Sequence, residues 1–360
     1  MTLIDELIDE NFCLKKHKRR KAFEKIDVMD LYTKVDIPKT NISIDYRSKL
    51  MFIGSCFAEN IGKFFVDAKF NCRVNPTGIA YNPLSIRQSI YNLIDGKTYC
   101  SDDFFFDGNK YCSYDLHSSF ARSGVEASIS LANDSIIDGK KFLQSVDVLF
   151  ITLGSAYVYF LADNPAQAVC NCHKQKPETF IRRLISVDEV SAALSDIVTK
   201  IATYNPKIKI VFTVSPIRHW RDGAHGNRLS KSTLHLGIEQ VLQKFDNCEY
   251  FPSYEILEDE LRDYRFYAED MVHPSPLAEK IIWERLRDTY INKVCQAQID
   301  RVLKFMQAVH HRITDPKSPA TKEFCKKNLE LADLLESEIQ GLDLSEEKNY
   351  FQKVLCDLDN

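Results

Sequence analysis

Residues 50–58 read LMFIGSCFA and predict the first strand of a sheet, followed directly by a helix. The apolar residues at the start of this stretch predict a buried β-strand, and residues 56 to about 68 predict an α-helix. Ser55 therefore stands where a strand turns into a helix, the place at which α/β hydrolases carry their nucleophile. Such a turn exposes the hydroxyl, and the N–H groups that follow can stabilise an oxyanion. The alternative for Ser55 is a plain helix N-cap.

A matching acid and base occur far downstream, at Asp270 and His273. They come just before Ser275 and Pro276, which predict the N-cap and first turn of another helix. As general base, His273 would take the proton of Ser55, while Asp270 would hold the imidazole tautomer. The alternative is a local turn interaction near a helix start. Together with Ser55, the pair predicts a Ser/Asp/His hydrolase.

Strand and helix signals alternate through the middle of the chain. Parallel pairing in one sheet follows from such βα units, with the sheet covered on both faces. The predicted strands are at 50–53, 146–152, 208–214 and about 250, and the predicted helices at 56–68, 82–93, 187–205, about 234–245 and 276–291.

The GSCFA pentapeptide at 54–58 resembles the signature that names the GSCFA family, a branch of the SGNH/GDSL hydrolase superfamily. The resemblance covers about residues 35–291. It implies a three-layer flavodoxin-like (SGNH hydrolase-like) fold and ester hydrolysis or acyl transfer, and it names no substrate. Further matching blocks follow in order: NPTG at 75–78, TLGSA at 152–156, NCHK at 171–174, TVSP at 213–216 and HPS at 273–275.

The resemblance also implies three oxyanion donors: the N–H of the nucleophile, a glycine and an asparagine. Gly78 matches the glycine, in a block that begins at Asn75. No asparagine follows the predicted strand at 146–152, where Gly-Ser-Ala occurs instead. Ser155 or Asn171 could substitute, and a structural role in the turn is an equal alternative.

A C-x-C-H cluster is formed by Cys170, Cys172 and His173. Thiolates and imidazole suit zinc, but a fourth ligand at normal spacing is missing. We therefore expect no metal and no cofactor, and interpret the cluster as a loop that lines the pocket or is purely structural. Cys56 is an alternative nucleophile, although as the first helical residue it should point elsewhere.

Arg218 and Trp220 follow the predicted strand at 208–214, at the edge where doubly wound sheets bind ligands. Arg218 could hold an anionic or sugar-like group and Trp220 could stack on a ring. A solvated loop is the alternative. His117 lies in a long insertion that could cover the site.

The chain divides into a charged N-terminal extension (1–34), a hydrolase-like domain (35–293) and a C-terminal helical extension (294–360). The basic run at 15–21 could contact an anionic surface, but a solvated helix face or a loose arm is the preferred interpretation. The C-terminal extension is predicted as two helices, separated near residue 315 and closed at Gly341.

Composition narrows the function classes. With a net charge of −4 and both signs abundant, the chain has no general tendency to bind nucleic acid or membranes. We expect no membrane span and no signal peptide, and hence a cytoplasmic protein whose 11 cysteines are mostly free.

The predicted function is an esterase or deacylase acting on O-acyl groups, for example O-acetyl, of a small molecule or glycan. An acyltransferase with the same triad is one alternative. The other is a non-catalytic binding protein on a hydrolase scaffold, which the missing asparagine favours. The sequence leaves the oligomeric state open.

Overall fold

A computed structural model describes residues 33–313, 315 and 318–359. The basic run at 15–21 and nearly all of the N-terminal extension lie outside the described residues, as does the proline at 316. The strands are β1 (Leu50–Gly54), β2 (Cys72–Val74), β3 (Phe105–Phe106), β4 (Tyr111–Cys112), β5 (Val148–Leu153), β6 (Tyr157–Leu161), β7 (Ala168–Val169), β8 (Phe180–Leu184), β9 (Lys209–Val214) and β10 (Cys248–Tyr250). The main helices are α1 (Cys56–Asp67), α2 (Pro83–Asp95), α3 (Val125–Leu143), α4 (Val187–Tyr204), α5 (Gly223–Leu242), α6 (Pro276–Tyr290), α7 (Lys293–Val309), α8 (Pro319–Glu338) and α9 (Ser345–Asp359).

Five strands form a parallel sheet in the order β10-β9-β5-β1-β2. Numbered among themselves along the chain, these strands run 5-4-3-1-2, which is the flavodoxin-like order. The predicted fold class is therefore confirmed. The order reverses between β1 and β5, and ligands bind outside the carboxyl ends of the strands at such a switch point.

The sheet is covered by helices on both faces, and β1 shows why. All five of its residues are buried, and their side chains alternate between two hydrophobic cores. Leu50 and Phe52 join the core under α1 and α6, while Met51 and Ile53 join the core under α2, α4 and α5. A strand buried on both faces is a continuous apolar run, as the sequence analysis assumed.

Local capping signals set the predicted helix boundaries. Asn82 accepts a hydrogen bond from the Ser85 N–H (2.9 Å), and α2 ends at Gly96 in the left-handed conformation. Ser186 and Glu189 form the predicted capping box of α4. Ser275 caps α6 with Pro276 in its first turn.

A second, antiparallel sheet has the order β7-β6-β8 and was not predicted. Its strands are short and half-buried, and residues 157–184 contain turns that mask the alternation of apolar and polar side chains. This sheet contributes one wall of the cavity described below.

The C-terminal extension contains the two predicted helices, α7 and α8, on either side of the break near residue 315, and a third helix, α9, that was not predicted. They share a core with the sheet domain, in which Phe305 and Phe351 meet at a centroid distance of 6.2 Å. Gly341 approaches the domain so closely that a Cβ there would lie 2.6 Å from the Tyr46 carbonyl oxygen. The extension is therefore packed onto the domain.

Among the helices that the structure describes, none combines the length and apolarity needed to cross a membrane.

Candidate functional site

A cavity of about 480 Å³ opens at the carboxyl ends of β1, β5 and β9, beside the switch point. Its lining includes Ser55, Ser155, His219, Arg218 and His273. Residues distant in sequence meet here because parallel strands end at one edge of the sheet.

Ser55 lies at the tight turn between β1 and α1. The turn requires glycine at position 54, because φ there is +144° and a Cβ would lie 2.1 Å from the Thr152 carbonyl oxygen. Ser55 occupies the N-cap position of α1, but its side chain makes no capping hydrogen bond. Its Oγ is buried and has no hydrogen-bond partner among the described residues. Buried hydroxyls normally form a hydrogen bond, so the Ser55 hydroxyl is available to interact with a bound molecule.

Asp270 and His273 form a well-ordered pair on the loop before α6. His273 Nδ1 is 2.6 Å from Asp270 Oδ2, and the N–H groups of Val272 and His273 both donate to Asp270 Oδ1 (2.9 Å each). These hydrogen bonds lower the pKa of Asp270 to about 2. Both side chains are about half exposed, and Met271 between them has φ of +59°.

Ser55 and His273 line the same cavity. No hydrogen bond joins them, since Ser55 Oγ has no partner among the described residues. In enzymes without substrate, such catalytic hydrogen bonds are often long and tighten only in the complex.

Two expected oxyanion donors are already engaged. The Ser55 N–H donates to the Thr152 carbonyl (3.2 Å), and the Gly78 N–H donates to the Asn75 carbonyl (2.8 Å). Gly78 has φ of +82° and packs against His117, where it closes a turn outside the cavity lining. The structure therefore does not support the role expected for Gly78.

Asn75 supports the nucleophile turn from behind. Its Oδ1 accepts the Gly54 N–H (2.9 Å), whereas its Nδ2 is buried without a partner among the described residues. Ser155 does line the cavity, but its Oγ accepts the Tyr157 N–H (3.0 Å) and contacts Ser230 Oγ (3.2 Å). Asn75 Oδ1 and Ser155 Oγ therefore both accept hydrogen bonds from the backbone of the surrounding turns.

The loop at 170–174 borders the cavity through Asn171 and Cys172. Asn171 Oδ1 accepts the His173 N–H (2.8 Å), which forms a local turn. His173 points away from the cavity and is anchored through Nε2 to the carbonyls of Ser113 (2.8 Å) and Leu116 (3.2 Å). Its predicted place beside the substrate is not supported.

The thiols of this region are protonated at neutral pH. Burial raises the pKa of Cys170 to about 12 and that of Cys172 to about 11. Burial also raises the pKa of Cys56, which makes it a poor nucleophile beside Ser55. No cluster of three potential metal ligands occurs among the described residues.

Arg218 and Trp220 are distant in sequence from the loop at 170–174, but they line the same cavity. Arg218 is paired with Glu258 (2.9 Å) and donates to the Tyr267 hydroxyl (3.0 Å). Trp220 is 46% exposed and remains open to stack on a ligand. His117 caps a short turn through Ser119 and does not line the cavity.

The antiparallel sheet contributes residues that the sequence analysis missed. Arg182 of β8 stacks on Tyr157 (4.2 Å) and forms two hydrogen bonds with Asp222 (2.6 and 2.7 Å). Arg221 lies over the ring of Tyr159 and donates to its hydroxyl. All five side chains line the cavity. In the sequence, the aromatic and apolar run at 157–161 is the signal for a strand here.

Two further residues were missed as site residues. His219 lines the cavity, and burial lowers its pKa to about 4. Lys231 of α5 is 1% exposed beneath the cavity, and burial lowers its pKa to about 7. Its Nζ donates to the carbonyls of Gly154 (2.7 Å) and Ser215 (2.6 Å). A lysine among the polar residues of a helix gives no signal of such burial in the sequence.

The fold and cavity define a flavodoxin-like α/β protein with a buried serine at the switch point. Residues 49–286 match the GSCFA family, and residues 302–356 match the family described as GSCFA domain protein, C-terminal domain. The chain belongs to the GSCFA family.

Curated proteins include no match to this chain. Among solved structures, it is similar to an acetyl xylan esterase (Est2A) from the rumen bacterium Butyrivibrio proteoclasticus, with 11% identity and a TM-score of 0.35. The alignment covers 71% of this chain and 64% of the esterase chain. A likeness of this size does not identify an activity.

Proposed function

We propose that the protein is a serine hydrolase of the SGNH type that removes O-acyl groups, such as acetyl, from a small molecule or glycan. The observation that carries this proposal is the Ser55 hydroxyl, which has no hydrogen-bond partner among the described residues and lines one cavity together with an imidazole paired to a carboxylate. A serine that capped its helix would have used the same hydroxyl, as Ser186 and Ser275 do.

Acylation would proceed by attack of Ser55 Oγ on the ester carbonyl carbon. His273 takes the Oγ proton through Nε2, and the carbonyl π electrons move to oxygen to form a tetrahedral oxyanion. When this intermediate collapses, the C–O bond to the alcohol breaks and His273 returns the proton to the departing oxygen. Water then cleaves the acyl-enzyme by the same steps, with His273 again acting as the base.

Asp270 would hold His273 throughout this cycle. Its carboxylate accepts a hydrogen bond from the Nδ1–H group and stabilises the imidazolium that forms during each proton transfer. The low pKa of Asp270 keeps it ionised across the range in which proteins are usually folded.

Backbone stabilisation of the oxyanion would come from the start of α1. The first intrahelical hydrogen bond of α1 is donated by the Ala58 N–H to the Ser55 carbonyl (2.9 Å). The N–H groups of Cys56 and Phe57 precede this bond and therefore have no acceptor within the helix. The helix dipole adds positive potential at the same end.

A non-catalytic binding protein is the second candidate. It is favoured by the absence of a Ser55–His273 hydrogen bond among the described residues and by the engaged N–H groups of Ser55 and Gly78. A shift of the His273 loop on substrate binding would remove this objection.

A fluorophosphonate probe separates the two candidates, because it labels only an activated serine. We expect the wild type to be labelled at Ser55 and to hydrolyse 4-nitrophenyl acetate, and Ser55→Ala to do neither. Ser155→Ala, which removes another serine of the cavity lining, should keep its label. Full labelling of Ser55→Ala, or a wild type without labelling and turnover, would contradict the proposed function.

A further inference from the structure

His219 is a cavity residue for which the proposed triad has no use. It follows β9, and its backbone N–H is fixed by Asn227 Oδ1 (3.0 Å). Its ring packs edge-on against Tyr81, with 6.0 Å between the ring centroids. Neither ring nitrogen forms a hydrogen bond with another residue in the described part of the chain, and the residue lines the cavity.

Apart from the N–H groups of Cys56 and Phe57 at the start of α1, few donors remain for an oxyanion near Ser55. Besides the engaged N–H groups of Ser55 and Gly78, those of Gly154 and Ser155 both donate to the Tyr81 carbonyl (2.7 and 3.0 Å). The chain also lacks the asparagine expected after β5. A side chain that replaces this asparagine must lie in the same cavity and have an N–H group without a hydrogen-bond acceptor.

Tyr81 connects His219 to the nucleophile. A Cβ built on Gly154 would lie 3.1 Å from the Tyr81 ring and 3.4 Å from Ser55 Cβ, so the three residues are packed around one point. His219 contacts the same Tyr81 ring edge-on, and all three of Ser55, Tyr81 and His219 line the cavity. Tyr81 thereby links the imidazole to the nucleophile in one cavity wall.

Burial, together with nearby positive charges, lowers the pKa of His219 and keeps its ring neutral. Burial is the largest cause of its lowered pKa, and the positive charge of Lys231 is the next. Asp222 opposes the shift, while Arg182 and His273 add to it. A neutral imidazole has one N–H donor and one acceptor nitrogen.

We propose that His219 is a further catalytic residue, a neutral imidazole that donates its ring N–H to the ester oxygen as that oxygen becomes an oxyanion. This inference rests on the proposed function. His219 transfers no proton: the C=O π electrons move to oxygen while the Ser55 Oγ–C bond forms, and the hydrogen bond from His219 shortens.

Neutrality suits this role for an electrostatic reason. His273 becomes an imidazolium in each proton transfer, and a second positive imidazole in the same cavity would oppose that charge. A neutral imidazole polarises a carbonyl without this repulsion, as in other enzymes with a histidine electrophile.

Lys231 acts as a positioning residue for the donor. Its Nζ holds the carbonyls of Gly154 and Ser215, which follow the neighbouring strands β5 and β9. The segment from Ser215 leads directly to His219. Lys231 thereby holds two backbone positions. One is Gly154, which packs against Ser55, and the other is Ser215, where the segment that leads to His219 begins.

Steady-state kinetics of three variants with 4-nitrophenyl acetate test the proposal. His219→Phe fills the same space without a donor, so kcat should fall by about 10²–10³, the usual cost of one oxyanion donor, with KM little changed. His219→Gln keeps an N–H and should lose about tenfold or less. His225→Gln, an exposed histidine at the start of α5, should match the wild type.

A structure of the wild-type phosphonyl adduct of Ser55 gives an independent readout, because its P–O⁻ oxygen stands in for the oxyanion. The proposal expects this oxygen about 2.7–3.1 Å from a His219 ring nitrogen. It is overturned if the oxygen contacts only α1 N–H groups, if Phe and Gln variants lose kcat equally, or if only KM changes.

Different results would contradict the proposed function and the role of His219. A wild type that neither reacts at Ser55 nor hydrolyses the ester overturns the proposed function and this inference with it. A wild type that reacts at Ser55 while His219→Phe keeps its kcat overturns the inference alone. Thermal melting of each variant shows whether a loss of kcat reflects unfolding.

Discussion

The cavity has two unlike walls. The nucleophile wall consists of the ends of β1, β5 and β9, where Ser55 is 1% exposed and the backbone is held by strand and turn hydrogen bonds. The antiparallel wall consists of β6 and β8 and the turn at Trp220–Asp222. It is half-buried and presents rings and paired charges.

This difference suggests a division of labour. Buried backbone resists displacement, so the nucleophile wall is suited to hold reacting groups in fixed positions. Side chains at a half-buried surface can change without disturbing the core, so the antiparallel wall is suited to recognise the alcohol part of a substrate. Variants in the first wall should change kcat, and variants in the second should change KM.

The largest effect is expected for Asp270→Asn. Loss of the carboxylate leaves His273 without its tautomer partner, and kcat should fall by about 10³–10⁴ with KM nearly unchanged. The steady-state rate of 4-nitrophenyl acetate hydrolysis, measured over a range of ester concentrations, gives this loss of kcat. Asp263→Asn, another exposed aspartate that caps a nearby turn, should have no such effect.

The pH profile of the wild type provides a further check on Asp270. Because its pKa is lowered to about 2, the carboxylate is ionised at every pH above about 4 and adds no acid limb to kcat/KM in that range. An acid limb that disappears in Asp270→Asn would mean that the carboxylate itself titrates there.

An intermediate effect is expected for Arg182→Met in the antiparallel wall. Asp222 would lose both hydrogen bonds while still half-buried, and the turn at Trp220–Asp222 would lose its anchor. KM should rise about tenfold with kcat retained, and the free energy of unfolding should fall by roughly 1–3 kcal/mol.

Arg183→Met is the matched control for this variant. Arg183 is the next residue of β8, points to the other face and pairs with Glu189 (2.6 Å) outside the cavity. Its loss should leave KM unchanged. If both variants raise KM alike, the antiparallel wall acts through its general stability and the proposed division between the walls fails.

The smallest effect on the free energy of unfolding at neutral pH is expected for Lys231→Met. The variant loses two hydrogen bonds to carbonyls but no longer buries an amine, and these contributions oppose each other. Folding lowers the pKa of Lys231 from 10.5 to about 7, so between these pH values the unfolded chain binds a proton that the folded chain does not. The stability of the wild type relative to Lys231→Met should therefore rise with pH across this window.

Urea unfolding at several pH values measures this difference. Lys244→Met, which removes an exposed lysine just beyond the end of α5, should show no pH-dependent difference from the wild type. A constant difference for Lys231→Met across the window would mean that Lys231 keeps the same protonation in both states.

Much of the nucleophile wall could be predicted from sequence. The apolar run at 50–53, the serine after it and the Asp270–His273 pair lie in short segments whose neighbours in sequence are also their neighbours in space. The oxyanion donors could not be predicted in this way. Whether the N–H of Gly78 is free depends on the turn that it closes with Asn75, which a motif does not reveal.

Short-range patterns in the sequence predicted β1, β5 and β9, the starts of α1, α2, α4 and α6 and the turn that carries Ser55, because periodicity and capping act over a few residues. The antiparallel sheet was not predicted, and it takes the assembled fold to bring His219 into the cavity lining and Lys231 beneath it. Their burial and charge environment arise where the ends of β5 and β9 meet α5, from segments that are distant in sequence. Such long-range contacts follow from strand order, and they therefore become visible only when the sheet is assembled.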